Sequence, residues 1–267
     1  MRGSAVSLIL LIVLSADLPG QQDALNESRR LYNAGQFESA ESAARLAMQQ
    51  PATANSARVL LGRIHLERFR KSPSELSLED ARKALREVDP ALLDTRERLE
   101  LTVGFGETLF LEDRFGAAAE MFAPVLEASS ALGPGAHERV LDWWATSVDR
   151  QAQARPMAER PAIYVSVIQR MTAELWRDPG SAPAGYWLVA AARGSGDLDT
   201  AWSAAMAGWV RATLSHDRGG MLRGDLDRLV VQAIIPERAA RLSPRDPSRA
   251  LTGLLSDWEA FKAGWTK

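Results

Sequence analysis

The side chains best suited to proton transfer or metal binding, His65, His137 and His216, are the three histidines of a 267-residue chain that has no cysteine. None has a second histidine or a carboxylate at the spacing that puts two ligands on one helix face, so the zinc-protease pattern is missing. Each reads as a surface or internally satisfied helix residue. A serine nucleophile needs a G-x-S-x-G elbow, and Gly194-Ser195-Gly196 supplies only a glycine turn. Gly219-Gly220 with Gly224 lacks the Lys and Ser/Thr that complete a phosphate-binding loop. Two carboxylate pairs share a spelling, Asp197-Leu198-Asp199 and Asp225-Leu226-Asp227, each after a glycine. Paired Asp at that spacing holds a divalent cation in some enzymes, but acidic residues after a turn also suit the positive end of a helix, and that reading is preferred. No catalytic residue, metal site or cofactor is assigned.

Binding chemistry is better supplied. All eight Trp lie from Trp143 onward. Aromatics serve cores and binding hot spots alike; the preferred reading is that irregular helices in this half need bulky filler. Adjacent Trp143 and Trp144 point about 100° apart on a helix, so they face different surroundings. Lys and Arg, 32 in all, nearly balance 34 Asp and Glu, with no basic stripe, which argues against nucleic acid or an anionic membrane as partner.

Residues 1–20 read as an export signal. Arg2 precedes the apolar run Val6 to Leu14, then small residues Ser15 and Ala16, with cleavage expected near Ala16 to Gly20. The run is short of the ~20 residues a spanning helix needs, so no stable membrane insertion is expected after signal removal. Asp17 follows Leu14-Ser15-Ala16 where a lipid anchor requires Cys. The expected location is periplasmic or extracellular.

The elements that must position any site are helices. In the first stretch Leu25 and Leu31 mark one helix, Asn33-Ala34-Gly35 a turn, and Phe37, Ala40, Ala44 and Ala47 the face of a second, closed by Pro51. A second pair has Leu61-Gly62 and Leu66, then an enlarged turn, Phe69 to Glu75, expected as an inserted loop. Its second helix carries Leu78, Ala81, Leu85 and Val88, with Ser77 as the expected cap. The third spans Leu101 to Leu126, with Gly106, Leu109, Phe115, Ala118 and Phe122. A degenerate fourth pair is expected, with Val140 to Val148 on one helix and Ile163 to Leu175 on the other. The fifth reproduces the turn as Gly196 to Ala201. A helix from Met221 to Leu242 should kink at Pro236. Asp246-Pro247 starts a last helix, apolar on one side through Leu251, Leu254, Trp258 and Phe261.

The order Leu-Gly, turn, aromatic, Ala, aromatic resembles the tetratricopeptide repeat, best in Gly35-Gln36-Phe37-Glu38-Ser39-Ala40 and in Leu101 to Leu126. Units here are longer than that family's roughly 34 residues, and Ala44 stands where a large aromatic is usual. The resemblance implies an all-α, right-handed solenoid of antiparallel helix pairs over 23–214, with capping helices over 221–267. It further implies a noncatalytic scaffold that binds a protein or peptide partner in a concave groove lined by first helices. Aligned positions in that groove are Arg29, Tyr32 and Asn33, then Arg63 and Glu67, Glu107 and Phe110, and Tyr186 with Arg193. The Lys/Asn set of the carboxylate-clamp members is missing. The alternative is a helical enzyme or small-ligand receptor with a pocket near the C-terminal helices.

Overall fold

The computed structural model describes residues 19–217 and 219–265. The expected export segment, up to residue 18, lies outside them. Among the described residues there are helices and no strand. Helices α1 (Pro19–Asn33), α2 (Phe37–Ala47), α3 (Pro51–Lys71) and α4 (Glu75–Arg86) form one compact unit, which closes at Leu93. A second, from Asp94, holds α5 (Thr95–Leu111), α6 (Phe115–Ala128), α7 (Pro134–Gln153), α8 (Arg160–Arg177), α9 (Ala182–Gly194) and α10 (Leu198–Arg211). It continues with α11 (Gly220–Leu229), α12 (Ile235–Leu242) and α13 (Ser248–Trp265).

Three of the pairs turn in the same way. Gly35, Asp113 and Gly196 take left-handed backbone angles, with φ of 71°, 59° and 85°. The next amide reaches back to the helix: Gln36 N to Leu31 O at 3.0 Å, Arg114 N to Leu109 O at 2.8 Å, Asp197 N to Ala192 O at 3.0 Å. The left-handed residue itself donates to Tyr32, Phe110 and Arg193 respectively, at 2.9, 3.1 and 2.9 Å. This is the Schellman closure, which satisfies carbonyls that the helix end would otherwise leave bare. Glycine adopts the geometry without steric cost, and Asp is among the few other residues that tolerate it. One residue further on, Phe37, Phe115 and Leu198 each begin the second helix. In two turns an aromatic pair closes over the bend, Tyr32 with Phe37 at 5.7 Å and Phe110 with Phe115 at 5.4 Å.

The second pair departs from this pattern. The expected loop from Phe69 to Glu75 is mostly helix: α3 continues to Lys71, and only Ser72 to Ser74 turn before α4. The extra turn of α3 has partners on α2 that fix it. Arg68 pairs with Glu41 at 2.5 Å, and Lys71 Nζ lies 4.3 Å from the Phe37 ring centroid. The helix then begins after Ser74, whose side chain makes no cap bond, and not after Ser77, which is helical. A full capping box lies elsewhere: Asp94 accepts from Glu97 N at 2.8 Å, and Glu97 accepts from Asp94 N at 3.2 Å.

Within pairs, small residues face large ones. A Cβ added to Gly62 would lie 2.5 Å from Leu85, and one added to Gly106 would lie 2.5 Å from Phe122. At the same separation as 106 to 122 stand Ser28 with Ala44 and Val189 with Ala205, all at 0% exposure. The residues at these paired positions differ in bulk from pair to pair, and Ala44, fully buried, leaves no room for the aromatic usual there.

The fourth pair is looser than expected. Helix α7 packs mainly on α6, and α8 mainly on α9. Tyr164 of α8 is wedged between: its hydroxyl donates to Asp149 of α7 at 2.6 Å and its ring covers Gly194 of α9. Downstream, the long helix does not simply kink at Pro236. It is split by a π turn, Val230–Ile234, and α12 restarts with Pro236 in its first turn, where the missing N–H costs least. Helix α13 starts as expected, with Asp246 accepting from Ser248 N at 3.1 Å. It closes the end of the second unit with Trp258, at 0% exposure, whose ring meets Trp202, Trp209 and Phe261 at 5.6–5.7 Å. Trp258 Nε1 and Lys262 both donate to Asp227 Oδ1, at 2.8 and 2.6 Å. The Trp-rich half is thus chiefly core, with Trp176, 84% exposed, and Trp265, 54% exposed, as the exceptions.

Replacing Gly106 by Ala should destabilise the chain by about 1–3 kcal/mol, because fully buried Phe122 has nowhere to move. Gly253→Ala, with nothing within 4 Å, should instead stabilise by up to about 1 kcal/mol. Urea unfolding of the two variants against the parent chain measures both.

Candidate functional site

In the first unit, α1 and α3 pack together and bring two expected groove residues into contact. The Arg63 guanidinium sits 4.7 Å from the Tyr32 ring centroid, and its Nη2 donates to the Tyr32 hydroxyl at 3.4 Å. Arg29 is half-buried on α1, Asn33 is exposed at its end, and Glu67 pairs with Arg70 at 3.2 Å. In the second unit Glu107 is buried, at 8% exposure, so it faces the interior and not an open wall. Phe110 is half-buried against Phe115 at the turn. Tyr186 and Arg193 meet in a cleft.

That cleft, of about 860 Å³, lies wholly in the second unit. Its walls come from the first helices α7 (Asp149) and α9 (Tyr186, Ala190 and Arg193) and from α11 and α12 (Leu229 and Glu237). Tyr164, Arg160 and Met157, from α8 and the link before it, close one side. Trp187 braces the floor, donating from Nε1 to Asp142 of α7 at 2.7 Å and meeting Tyr186 edge-on at 5.3 Å. Gly194 is small for a local reason, since a Cβ there would come within 2.4 Å of the Tyr164 ring.

Its charged groups are fixed in two ways. Asp149 accepts from Tyr164 at 2.6 Å through Oδ1 and from Gln153 at 2.5 Å through Oδ2. Glu237 Oε1 accepts from Arg193 Nε at 3.0 Å and Nη2 at 2.5 Å. Arg160 and Arg241 are held by backbone carbonyls instead: Arg160 donates to Arg155 O at 3.0 Å and Gln153 O at 3.1 Å, Arg241 to Gly196 O at 3.1 Å. Burial, then the bond to Asp149, push the Tyr164 phenol well above its usual range, and burial followed by nearby carboxylates raises Tyr186. Both stay neutral hydroxyls near pH 7.

A second cluster has the composition of a hydrolytic triad and fails as one. Ser129 Oγ lies 2.6 Å from His137 Nδ1, and His137 Nε2 lies 3.0 Å from Glu174. Ser129 is at 0% exposure and donates to Leu126 O at 3.1 Å, so no substrate carbonyl reaches it. The cluster fastens the end of α6 to α7 and α8. Burial opposes ionisation of Glu174, but hydrogen bonds from Arg177 and His137 outweigh it and hold the carboxyl below its usual range. The other two histidines are dispersed: His65 is buried, and burial lowers its pKa, while His216 is exposed.

The Asp pairs diverge. Asp197 caps α10, accepting from Thr200 N at 3.0 Å, and Asp199 pairs with Arg238 at 2.8 Å. Asp225 pairs with Arg228 at 3.4 Å while Asp227 anchors α13. Among the described residues no group of three or more His, Cys, Asp or Glu could hold a metal, and no helix is long and apolar enough to cross a membrane. No family model, curated protein or solved structure matches this chain.

Because the folded-state pKa of Glu174 is depressed, its stabilisation is present above the unfolded carboxylate range, roughly pH 4.3, and is lost as pH falls through the lower folded value. Glu174→Gln should therefore cost about 2–3 kcal/mol at pH 7. The gap to the parent should shrink as the pH is taken below about 4, read from denaturant midpoints across a pH series.

Proposed function

We propose that the chain is a noncatalytic scaffold that holds a segment of a protein partner in the second-unit cleft, acting in the cell envelope after export. The observation that supports this is the wall composition: the first helices α7 and α9 line one cleft with Asp149, Tyr186, Ala190 and Arg193, joined by Leu229 and Glu237 of the closing helices. Aromatic rings beside arginines are what binding hot spots favour. The stacking of helices in neighbouring pairs, with the same turn recurring in three of them, supports the tetratricopeptide-like reading of the chain, and the composition of residues 1–20 supports export. Nothing in the cleft supplies a nucleophile with its base, since Asp149 and Glu237 are both engaged and no histidine lines it.

A second reading, a small-ligand receptor, is favoured by the size of the cleft, which falls within the roughly 300–1,000 Å³ of ligand pockets. Cross-linking separates the two. A photo-reactive residue at Ala190, in cells that produce the protein, should give a discrete polypeptide adduct, and one at exposed Trp176 should not. Absence of any polypeptide adduct at 190, with a small bound mass in native mass spectrometry, would favour the receptor instead. Adducts of equal yield at both positions would remove the cleft from consideration.

A further inference from the structure

Resting on the partner-binding reading above, we infer that the cleft takes an acidic peptide segment, an Asp or Glu side chain seated between Arg160 and Arg241 with a neighbouring apolar or aromatic residue lying on Tyr186 and Leu229. The basis is how each charge is held. Three arginines and two carboxylates line the cleft, in a chain whose overall charge is -2. Arg193 is neutralised by Glu237, and both oxygens of Asp149 accept from neutral donors, Tyr164 and Gln153.

Arg160 and Arg241 differ. A backbone carbonyl orients a guanidinium without cancelling its charge, and neither side chain forms an ion pair among the described residues. Arg160 uses Nε and Nη2, which leaves the Nη1 edge; Arg241 uses Nη2 and leaves Nε and Nη1. Two oriented guanidiniums with unused N–H edges suit carboxylate oxygens, which accept in the matching planar geometry. Pre-orientation also lowers the side-chain entropy lost on binding. The Tyr186 hydroxyl, half-buried on the same wall, makes no hydrogen bond among the described residues and offers one more donor. Nucleic acid fits less well, because two oriented arginines in one cleft are not the basic stripe along which a phosphate backbone runs.

The test is a selection on the purified full chain from random decapeptides displayed between Gly-Ser flanks, so that no terminal carboxylate is offered. Selected sequences should be enriched in Asp or Glu beside an aromatic or aliphatic residue. A synthetic peptide from that set should lose about tenfold or more in affinity when its acidic residue becomes the amide, matching the loss of one charge-assisted bond. It should lose as much on the R160Q/R241Q variant but not on R245Q. Should R160Q/R241Q fail to fold, affinity for the parent chain at 50 and 500 mM NaCl carries the same point, with a severalfold fall expected. Enriched sequences without acidic bias that still protect Tyr186 would overturn this inference and leave the partner-binding reading intact. A selection that enriches nothing would overturn both.

Discussion

The constraint on which the structure depends is the closure of three of its helix pairs by a left-handed residue. A helix end leaves four carbonyls unpaired, and two short helices side by side bury too little apolar surface to hold together without help. Where Gly35, Asp113 and Gly196 turn, the six-to-one bond satisfies one of those carbonyls and delivers Phe37, Phe115 or Leu198 as the first residue of the returning helix. Direction, register and crossing are fixed together. The small-to-large exchange at Gly106 and Phe122, or Val189 and Ala205, then sets how closely the pair packs.

The cleft is a consequence of one break in that regularity. Tyr164 stands between α7 and α9, so α8 is drawn toward α9 and away from α7. The same phenol holds Asp149 by a hydrogen bond, which orients that carboxylate on the cleft wall and leaves its charge in place. Downstream, the π turn before Pro236 rotates α12 so that Glu237 reaches Arg193 and Arg241 reaches the Gly196 carbonyl. The glycine turn of the fifth pair thus serves twice, as a helix stop and as the anchor of a cleft arginine.

Much of the fold was legible because its signals are local. Gly35 and Gly196 announce the turns, Asp246-Pro247 starts α13, and the Phe37, Ala40, Ala44, Ala47 series needs only helical periodicity. The extension of α3 was not legible: the stretch Phe69 to Glu75 has loop composition, and its helical part is fixed by Glu41 and Phe37, some thirty residues earlier. The capping box at Asp94 and Glu97 carried a readable D-x-x-E signal that the apolar pattern obscured. Of the expected groove residues, Tyr186 and Arg193 meet in the cleft and Tyr32 meets Arg63, whereas Glu107 turns inward. Arg160 and Arg241 had no signal at all, since an arginine acquires meaning here from which carbonyl it meets, and that is settled by packing across 153–160 and 196–241.

Hydrogen–deuterium exchange, run on the chain alone and then saturated with a peptide that binds it, addresses the central claim most directly. Slowed exchange confined to 186–196 and 229–241, with the rest of the second unit unchanged, is the result expected of a partner seated in the cleft against α9, α11 and α12. Protection centred instead on the ends of α8 and α10, around Trp176 and Leu214, would contradict it and move the working surface to the opposite helices.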